Sequence, residues 1–280
     1  VSAYLRNNTP RADGVTVKHS EDNYNIICDA KLTADIVKGE LLPIEFLPVP
    51  EDYQYDRKVW VVGHNTSAII DNCRRHIETN TLARYEQLRL ATQNEPPARF
   101  SELGMNPIAT LDNIYKAMGD FATHWQQDII GGNKLNLDSV ALAECQKDLD
   151  NFLDEIDRFA CGIAALHEDE NLLKAFKGMN RVMGRLARGY DQWRLFQIVF
   201  IVTQLPALVI RSGVGKGEWP VGVNRQWEDQ LDIADVLWFS TGGGKTEAYL
   251  GLVSCAILYD RLRGKKLGVT AWLRFPLRML

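Results

Sequence analysis

The stretch Asp235-Val-Leu-Trp-Phe-Ser-Thr-Gly-Gly-Gly-Lys-Thr-Glu247 decides how the rest of the chain is read. Ala234 to Phe239 is a short apolar run, the pattern of a buried parallel strand. Ser240 to Gly244 is all small residues, ending in three glycines. Without Cβ atoms, their backbone N–H groups can approach and wrap an anion. Lys245 can then reach the β- and γ-phosphates of a nucleotide, and the Thr246 hydroxyl can ligate Mg²⁺. From Thr246 to Leu262, Tyr249, Leu250, Val253, Ile257 and Leu258 recur with helical spacing. The positive end of such a helix would face the phosphates. The general phosphate-loop pattern begins with glycine. This chain has Phe239 there, but strand, loop and helix follow in the order the motif requires.

Downstream, Gly264 ends the helix and Leu267 to Leu273 is a second apolar run. Strand, loop, helix and strand make a βαβ unit, which predicts a parallel sheet with a right-handed crossover. Upstream, Trp193-Arg-Leu-Phe-Gln197 opens an apolar segment 48 residues before Lys245. The Gln197 amide can both donate and accept hydrogen bonds.

These residues carry a resemblance. Thr-Gly-Gly-Gly-Lys-Thr-Glu-Ala-Tyr-Leu-Gly-Leu (241–252) resembles motif I of superfamily 2 helicases. The longer stretch from Asp235 to Gly251 is most similar to the DrmA-type helicases of DISARM anti-phage systems, which usually carry proline where Ser240 stands. The resemblance runs from about residue 176 to 280. It implies a RecA-like α/β domain with a parallel sheet that binds ATP and Mg²⁺. Thr241, Gly242, Gly243, Gly244, Lys245, Thr246 and Glu247 would form its phosphate loop, with Lys245 and Thr246 as the catalytic pair. Arg194 and Gln197 resemble the Arg-x-x-Gln element that reads adenine. Arg274-Phe-Pro-Leu-Arg278 resembles motif Ia, so Arg274, Pro276, Leu277 and Arg278 would hold the backbone of a nucleic-acid strand, expected to be DNA. The implied whole is an ATP-dependent helicase or translocase in defence, with partner defence proteins. Other phosphate-loop NTPases that move no nucleic acid remain an alternative, as does a non-enzymatic adaptor that keeps a nucleotide fold.

The rest of the chain bounds that reading. It has 280 residues, 46% of them hydrophobic, enough for one or two domains with a core. It begins at Val1 and stops at Leu280 inside an apparent motif, and so reads as a piece of a longer protein. A Walker B acidic pair and a second RecA-like domain are expected outside it, so the piece alone should not turn over ATP. Cys28, Cys73, Cys145, Cys161 and Cys255 form no C-x-x-C pair, which predicts reduced thiols in a cytoplasmic protein. The longest apolar run, Leu195 to Ile210, is broken by Gln197, Thr203, Gln204 and Pro206. It predicts a buried core helix and no membrane span.

Three regions are expected. Residues 1–78 read as a small α+β or β-rich part, with strand-like runs at Tyr24–Cys28, Glu45–Val49 and Lys58–Val62. His64 and His76 there lack the spacing of a metal site. Residues 79–190 read as helical: Thr79 to Gln93, a helix from Pro107 to Ile130 stopped by Gly131-Gly132, and Leu172 to Leu186. Between them, Asp138 to His167 carries a three-and-four stripe of Leu142, Cys145, Leu149, Phe152, Ile156, Phe159, Ile163 and Leu166. It predicts one long helix packed into that region, with a partner-binding coiled-coil arm as the alternative. Residues 191–280 would begin the ATPase domain, with Arg211 to Asp229 as a Gly-rich surface connection.

Charge divides along the chain. Residues 1–170 hold 16 Lys and Arg against 28 Asp and Glu, a net of −12, whereas residues 171–280 hold 16 against 8, a net of +8. A basic C-terminal part suits phosphate contact. Arg181, Arg185 and Arg188 recur with helical spacing there, as on an ordinary solvated face, with phosphate contact as the alternative.

Overall fold

The computed structural model describes residues 2–6, 31–46, 53, 55, 57–64, 66–80, 95–214, 231–237 and 243–274. The chain divides into two compact units, residues 1–88 and 89–280.

The first unit is built on an antiparallel sheet. Its strands are β1 (Ser2–Arg6), β2 (Lys31–Asp35), β5 (Ser67–Ile70) and β6 (His76–Asn80), in the order β1-β2-β6-β5. Thr33 faces Tyr4 on one side and Glu78 on the other. A separate short ladder pairs β3 (Ile44–Glu45) with β4 (Lys58–Val59). The β5–β6 turn is fixed by its aspartate: Asp71 Oδ1 accepts from the backbone N–H groups of Arg75 at 2.7 Å and His76 at 2.9 Å. Arg74, at φ 57, carries its guanidinium 3.7 Å above the Trp60 ring. The helix expected from Thr79 is corrected at its start, because Thr79 and Asn80 close β6 opposite Ala68 and Ser67. Residues 81–94, and the run expected at Tyr24–Cys28, lie outside the described residues.

The second unit is helical. A two-residue ladder, β7 (Ala98–Arg99) with β8 (Gln192–Trp193), joins its beginning to its middle. The helices are α1 (Phe100–Met105), α2 (Pro107–His124), α3 (Ser139–Glu168), α4 (Glu170–Leu186), α5 (Leu195–Thr203), α6 (Leu205–Val214) and α7 (Lys245–Leu262). Pro107 opens α2, which continues as a π-helical turn, Trp125–Gly131, ending at Gly132. Asp138 caps α3 through Val140 N and Ala141 N, and Asp169 caps α4 through Asn171 N and Leu172 N.

The long helix α3 packs into its own unit along both halves. Its N-terminal half lies on α2, where Leu149 and Ile156 meet Ala122, and Phe121 stands edge-on to Phe152 at 5.6 Å. Its C-terminal half joins the main core of Phe159, Ile163, Phe176, Trp193, Ile201 and Val209. There Gly162 is required: a Cβ on it would lie 2.2 Å from Val202 O, so α3 and α5 meet backbone to backbone. Leu195 to Ile210 is core, as its composition suggests, but it is two helices that part at Gln204. The stretch Leu195–Gly213 has the length and mean hydropathy, 1.7, of a membrane span, and 50% of it is buried inside the fold.

The parallel sheet expected around the glycine loop is not present among the described residues; all three sheets are antiparallel. Ala234 to Leu237 is irregular, with Val236 83% exposed, and Trp238 and Phe239 lie outside the described residues. The run from Leu267 to Leu273 is irregular too, and Trp272 is 83% exposed. A strand must exchange its N–H and C=O groups with a neighbour. The 265–270 stretch instead folds back on α7. Lys265 Nζ reaches Asp260 Oδ2 at 2.6 Å and Val269 O at 2.9 Å, and Thr270 Oγ1 donates to Asp260 Oδ2 at 2.7 Å. The architecture is therefore mixed α/β and mainly helical in its second unit. Of the connection expected at Arg211–Asp229, Arg211 to Val214 are the end of α6, and residues 215–230 lie outside the described residues.

Candidate phosphate-binding site

The site is built from the start of α7 and the turn that opens α5. Helix α7 buries Ala248, Gly251, Cys255, Ala256 and Tyr259. Gly251 lets it press on the core: a Cβ there would stand 2.8 Å from Trp193 Cη2. Trp193 is held in turn, since its Nε1 donates to Asn180 Oδ1 at 2.7 Å and Asn180 Nδ2 donates to Phe176 O at 2.9 Å. Both side chains are buried, so each polar atom has the partner that burial demands. The other end of α7 is tied down by Tyr259, whose hydroxyl donates to the Asp169 carboxylate that caps α4. Burial pushes the Tyr259 phenol well above its ordinary range. Burial also pushes the Cys255 thiol up to about 12, so it is no thiolate nucleophile at neutral pH.

Trp193 fixes where Arg194 begins α5. Arg194 is the N-cap, and Gln197 closes the turn by accepting from Arg194 N at 2.8 Å. From this turn two side chains reach the glycine loop. Arg194 Nη1 donates to Gly243 O at 2.6 Å, and Gln197 Nε2 donates to Gly244 O at 2.7 Å. Gly244 adopts φ 93, the left-handed conformation that glycine accepts without strain. A Cβ there would stand 2.5 Å from Gln197 Nε2. Two consecutive loop carbonyls are thus bound from behind by one turn of the core, immediately before a helix starts at Lys245. The first turn of a helix leaves its N–H groups without intrahelical partners and carries a positive partial charge. That arrangement suits an anion, and phosphate in particular.

Of the residues picked from the sequence, the structure brings Arg194, Gln197, Gly243 and Gly244 together. Lys245 and Glu247 are half-buried and Thr246 is exposed at the same helix start. Arg274 is exposed in the irregular stretch after α7. Thr241, Gly242, Pro276, Leu277 and Arg278 lie outside the described residues. Among the described residues no group of three or more His, Cys, Asp or Glu could hold a metal. A Mg²⁺ ion bound through one hydroxyl and nucleotide phosphates needs no such group.

One network escaped the sequence. Asp235, read as the start of a strand, accepts two hydrogen bonds from Arg158 of α3, at 2.7 and 3.0 Å, and one from Gln204 Nε2. Arg158 also reaches Glu155 at 2.8 Å, and its side chain is only 12% exposed. Burial raises the Asp235 carboxyl, but the Arg158 and Gln204 hydrogen bonds outweigh it and hold the group below its ordinary range. Arg158 sits among Asp154, Glu155 and Asp157, so its pattern is that of a solvated face. Only the fold shows that it reaches across 77 residues to the segment leading into the loop.

Gly243 and Gly244 thus open α7 braced from behind by the Arg194–Gln197 turn. Over 181 residues the chain is 35% identical to the DISARM protein DrmA of Bacillus paralicheniformis, an alignment covering 53% of this chain and 14% of that relative. The DrmA likeness read from the sequence is thus present in a direct comparison, and the match spans about a seventh of the relative's length. No protein-family model matches the chain.

Proposed function

We propose that the protein to which this chain belongs is an ATP-dependent nucleic-acid helicase or translocase of a DISARM-type defence system, acting in the cytoplasm on DNA with partner defence proteins. The observation that carries the reading is the double brace on the loop: Arg194 on Gly243 O and Gln197 on Gly244 O. With both carbonyls engaged from behind, the amide face of the loop is left for an anion, and α7 adds its positive end. The similarity to DrmA supports the defence setting.

In this reading the phosphates of MgATP are held by the backbone of residues 241–246. Lys245 neutralises the β- and γ-phosphates, and Thr246 contributes its hydroxyl to the metal. Bound MgATP supplies the transferable phosphoryl group and the metal charge. The chain binds, orients and stabilises, which is most of phosphoryl-transfer catalysis. Gln197 keeps one N–H and one lone pair beyond its two internal hydrogen bonds, and these are proposed to read the adenine edge. Arg274, Pro276, Leu277 and Arg278 are proposed to hold a DNA strand. A RecA-like domain of the full-length protein is proposed to include α7.

The experiment is Lys245→Ala in the full-length protein, with ATP turnover followed in the presence of DNA. Turnover should fall by on the order of 10³-fold, the scale lost when a comparable phosphate-stabilising cation is absent. Turnover within a few-fold of the unaltered protein would defeat the assignment.

A further inference from the structure

Helix α4 carries a line of cations that the phosphate site does not use. Lys174, Lys177, Arg181 and Arg185 recur at intervals of three or four residues, and Arg188 follows in the turn after the helix. At 3.6 residues per turn they lie opposite Leu172, Ala175, Phe176, Met179 and Met183, the face α4 buries. Lys174 is paired with Glu170 at 2.7 Å, and Arg181 Nε donates to Gly104 O at 3.0 Å. Among the described residues, Lys177, Arg185 and Arg188 form no ion pair.

Beside this line, α1 and α4 flank an open groove of about 430 Å³. The two helices approach closely at Gly184, where a Cβ would stand 3.0 Å from Phe100 Cβ. Arg181, Arg185 and Tyr190 are among the residues that line it. The Tyr190 ring is 47% exposed and rests on the buried Phe100 ring, centroids 6.0 Å apart. Its polar rim holds one carboxylate, Asp191, which is 79% exposed. The groove thus combines Arg185, which forms no ion pair among the described residues, with an aromatic ring that rests on the core and a single lining carboxylate, and Lys177 and Arg188 lie outside its lining, before and after Arg185 in the chain. Lys177 and Arg185 stand about 12 Å apart along the helix axis, far enough to meet separate phosphates.

We infer that the α1–α4 groove binds single-stranded nucleic acid, with Lys177, Arg185 and Arg188 on phosphates and Tyr190 stacked on an unpaired base. Cations give sequence-independent, salt-dependent affinity, and an exposed ring adds base stacking that a duplex cannot offer. An acidic polypeptide would use the same cations but would have no need of the ring. The inference stands on charge and geometry alone and is independent of the ATP reading.

The test is fluorescence anisotropy of a labelled oligo(dT) strand and a matched duplex across a salt series, without nucleotide, using the full-length protein. In the triple variant Lys177→Gln, Arg185→Gln, Arg188→Gln, the slope of log K against log salt should flatten by about 2, from about 0.7 per phosphate lost. Affinity for the strand at ~0.1 M salt should fall by about 100-fold on the same arithmetic. The charge-keeping pair Arg185→Lys, Arg188→Lys should retain the slope, and its thermal unfolding should match the unaltered protein because both side chains are exposed. Tyr190→Leu should weaken the strand by on the order of tenfold with the slope and duplex affinity unchanged. An unchanged slope in the triple variant overturns the phosphate contacts. A Tyr190→Leu protein that binds the strand normally overturns the stacking. Loss of poly-glutamate binding with strand binding intact would instead identify an acidic protein as the occupant and overturn the inference.

Discussion

Gln197 occupies both ends of its amide inside the protein, on Arg194 N and on Gly244 O, and is 5% exposed. Replacing it with alanine removes the acceptor that closes the α5 turn and the donor that fixes the loop. A buried group left unmatched costs about 1–3 kcal/mol. Gln197→Ala should therefore weaken ATP and GTP together, because the loop loses its brace, with a further loss for ATP from the adenine edge. Titration of both nucleotides into the full-length protein separates the two parts. Equal losses would leave bracing without adenine reading, and no loss for either nucleotide would remove both. At this scale the sequence carried the residue types but not their partners. Arg194 and Gln197 stand out because a glycine-rich loop lies 48 residues on, yet nothing in that spacing says which loop carbonyls they meet. Trp193 has the same character. Its aromatic type announces core, but its hydrogen bond to Asn180 depends on two helices meeting.

Element by element, periodicity served well where helices pack on helices. The stripe from Leu142 to Leu166 and the capping Asp138 located α3 to within two residues, because both signals are local. The apolar runs at Ala234–Phe239 and Leu267–Leu273 fared differently. A strand depends on neighbours, and an apolar run alone does not provide them. What α3 contributes to the loop was equally hidden. Arg158 ties it to Asp235, and with side chains 12% and 20% exposed the pair lies between surface and buried behaviour. Arg158→Met should cost about 1–2 kcal/mol, between the values for exposed and fully buried pairs. Chemical denaturation should show that loss, and Asp235→Asn added to it should cost little more, since coupled neighbours are not additive. Independent costs for the two changes would mean that the pair is not formed. In the first unit, the β2–β6 pair makes a pH prediction. The Asp35 carboxylate, 2.6 Å from His76 Nδ1, raises the His76 pKa above its ordinary value of about 6.5. A group with a raised folded-state pKa stabilises fully below its unfolded pKa, and that contribution is lost as pH rises through the folded value. Hydrogen exchange of the β6 amides, corrected for intrinsic rates, should therefore show the strand opening more readily as pH rises from about 6 to about 8. His76→Gln should flatten that dependence. A dependence that survives the substitution would assign it to another group.

For the molecule as a whole, charge is the property that the sequence states and the fold preserves. Residues 1–170 carry −12 and residues 171–280 carry +8. The long helix α3 belongs to the negative part: Glu144, Asp148, Asp150, Asp154, Glu155 and Asp157 face outward or are half-buried along it. Its apolar stripe is covered by α2 and the core, so it has neither the charge nor a free seam to receive nucleic acid. Arg274 lies exposed at the other extreme of the sign split. Each phosphate neutralised contributes a salt slope of about −0.7 for single strands and about −0.9 for duplex. If Arg274 and Arg278 hold a strand, changing both to alanine should flatten log K against log salt by about 1 to 2, while ATP affinity without nucleic acid stays constant. Combined with the α4 triple variant, the slope changes should add if the two sets of charges meet different phosphates. A slope unmoved by the Arg274 and Arg278 changes would remove that segment from the strand path. A slope that steepened when Asp150 and Asp154 of α3 were made neutral, by as much as it flattened in the arginine variants, would show instead that the acidic helix borders the path, because removing nearby negative charge then admits further phosphates.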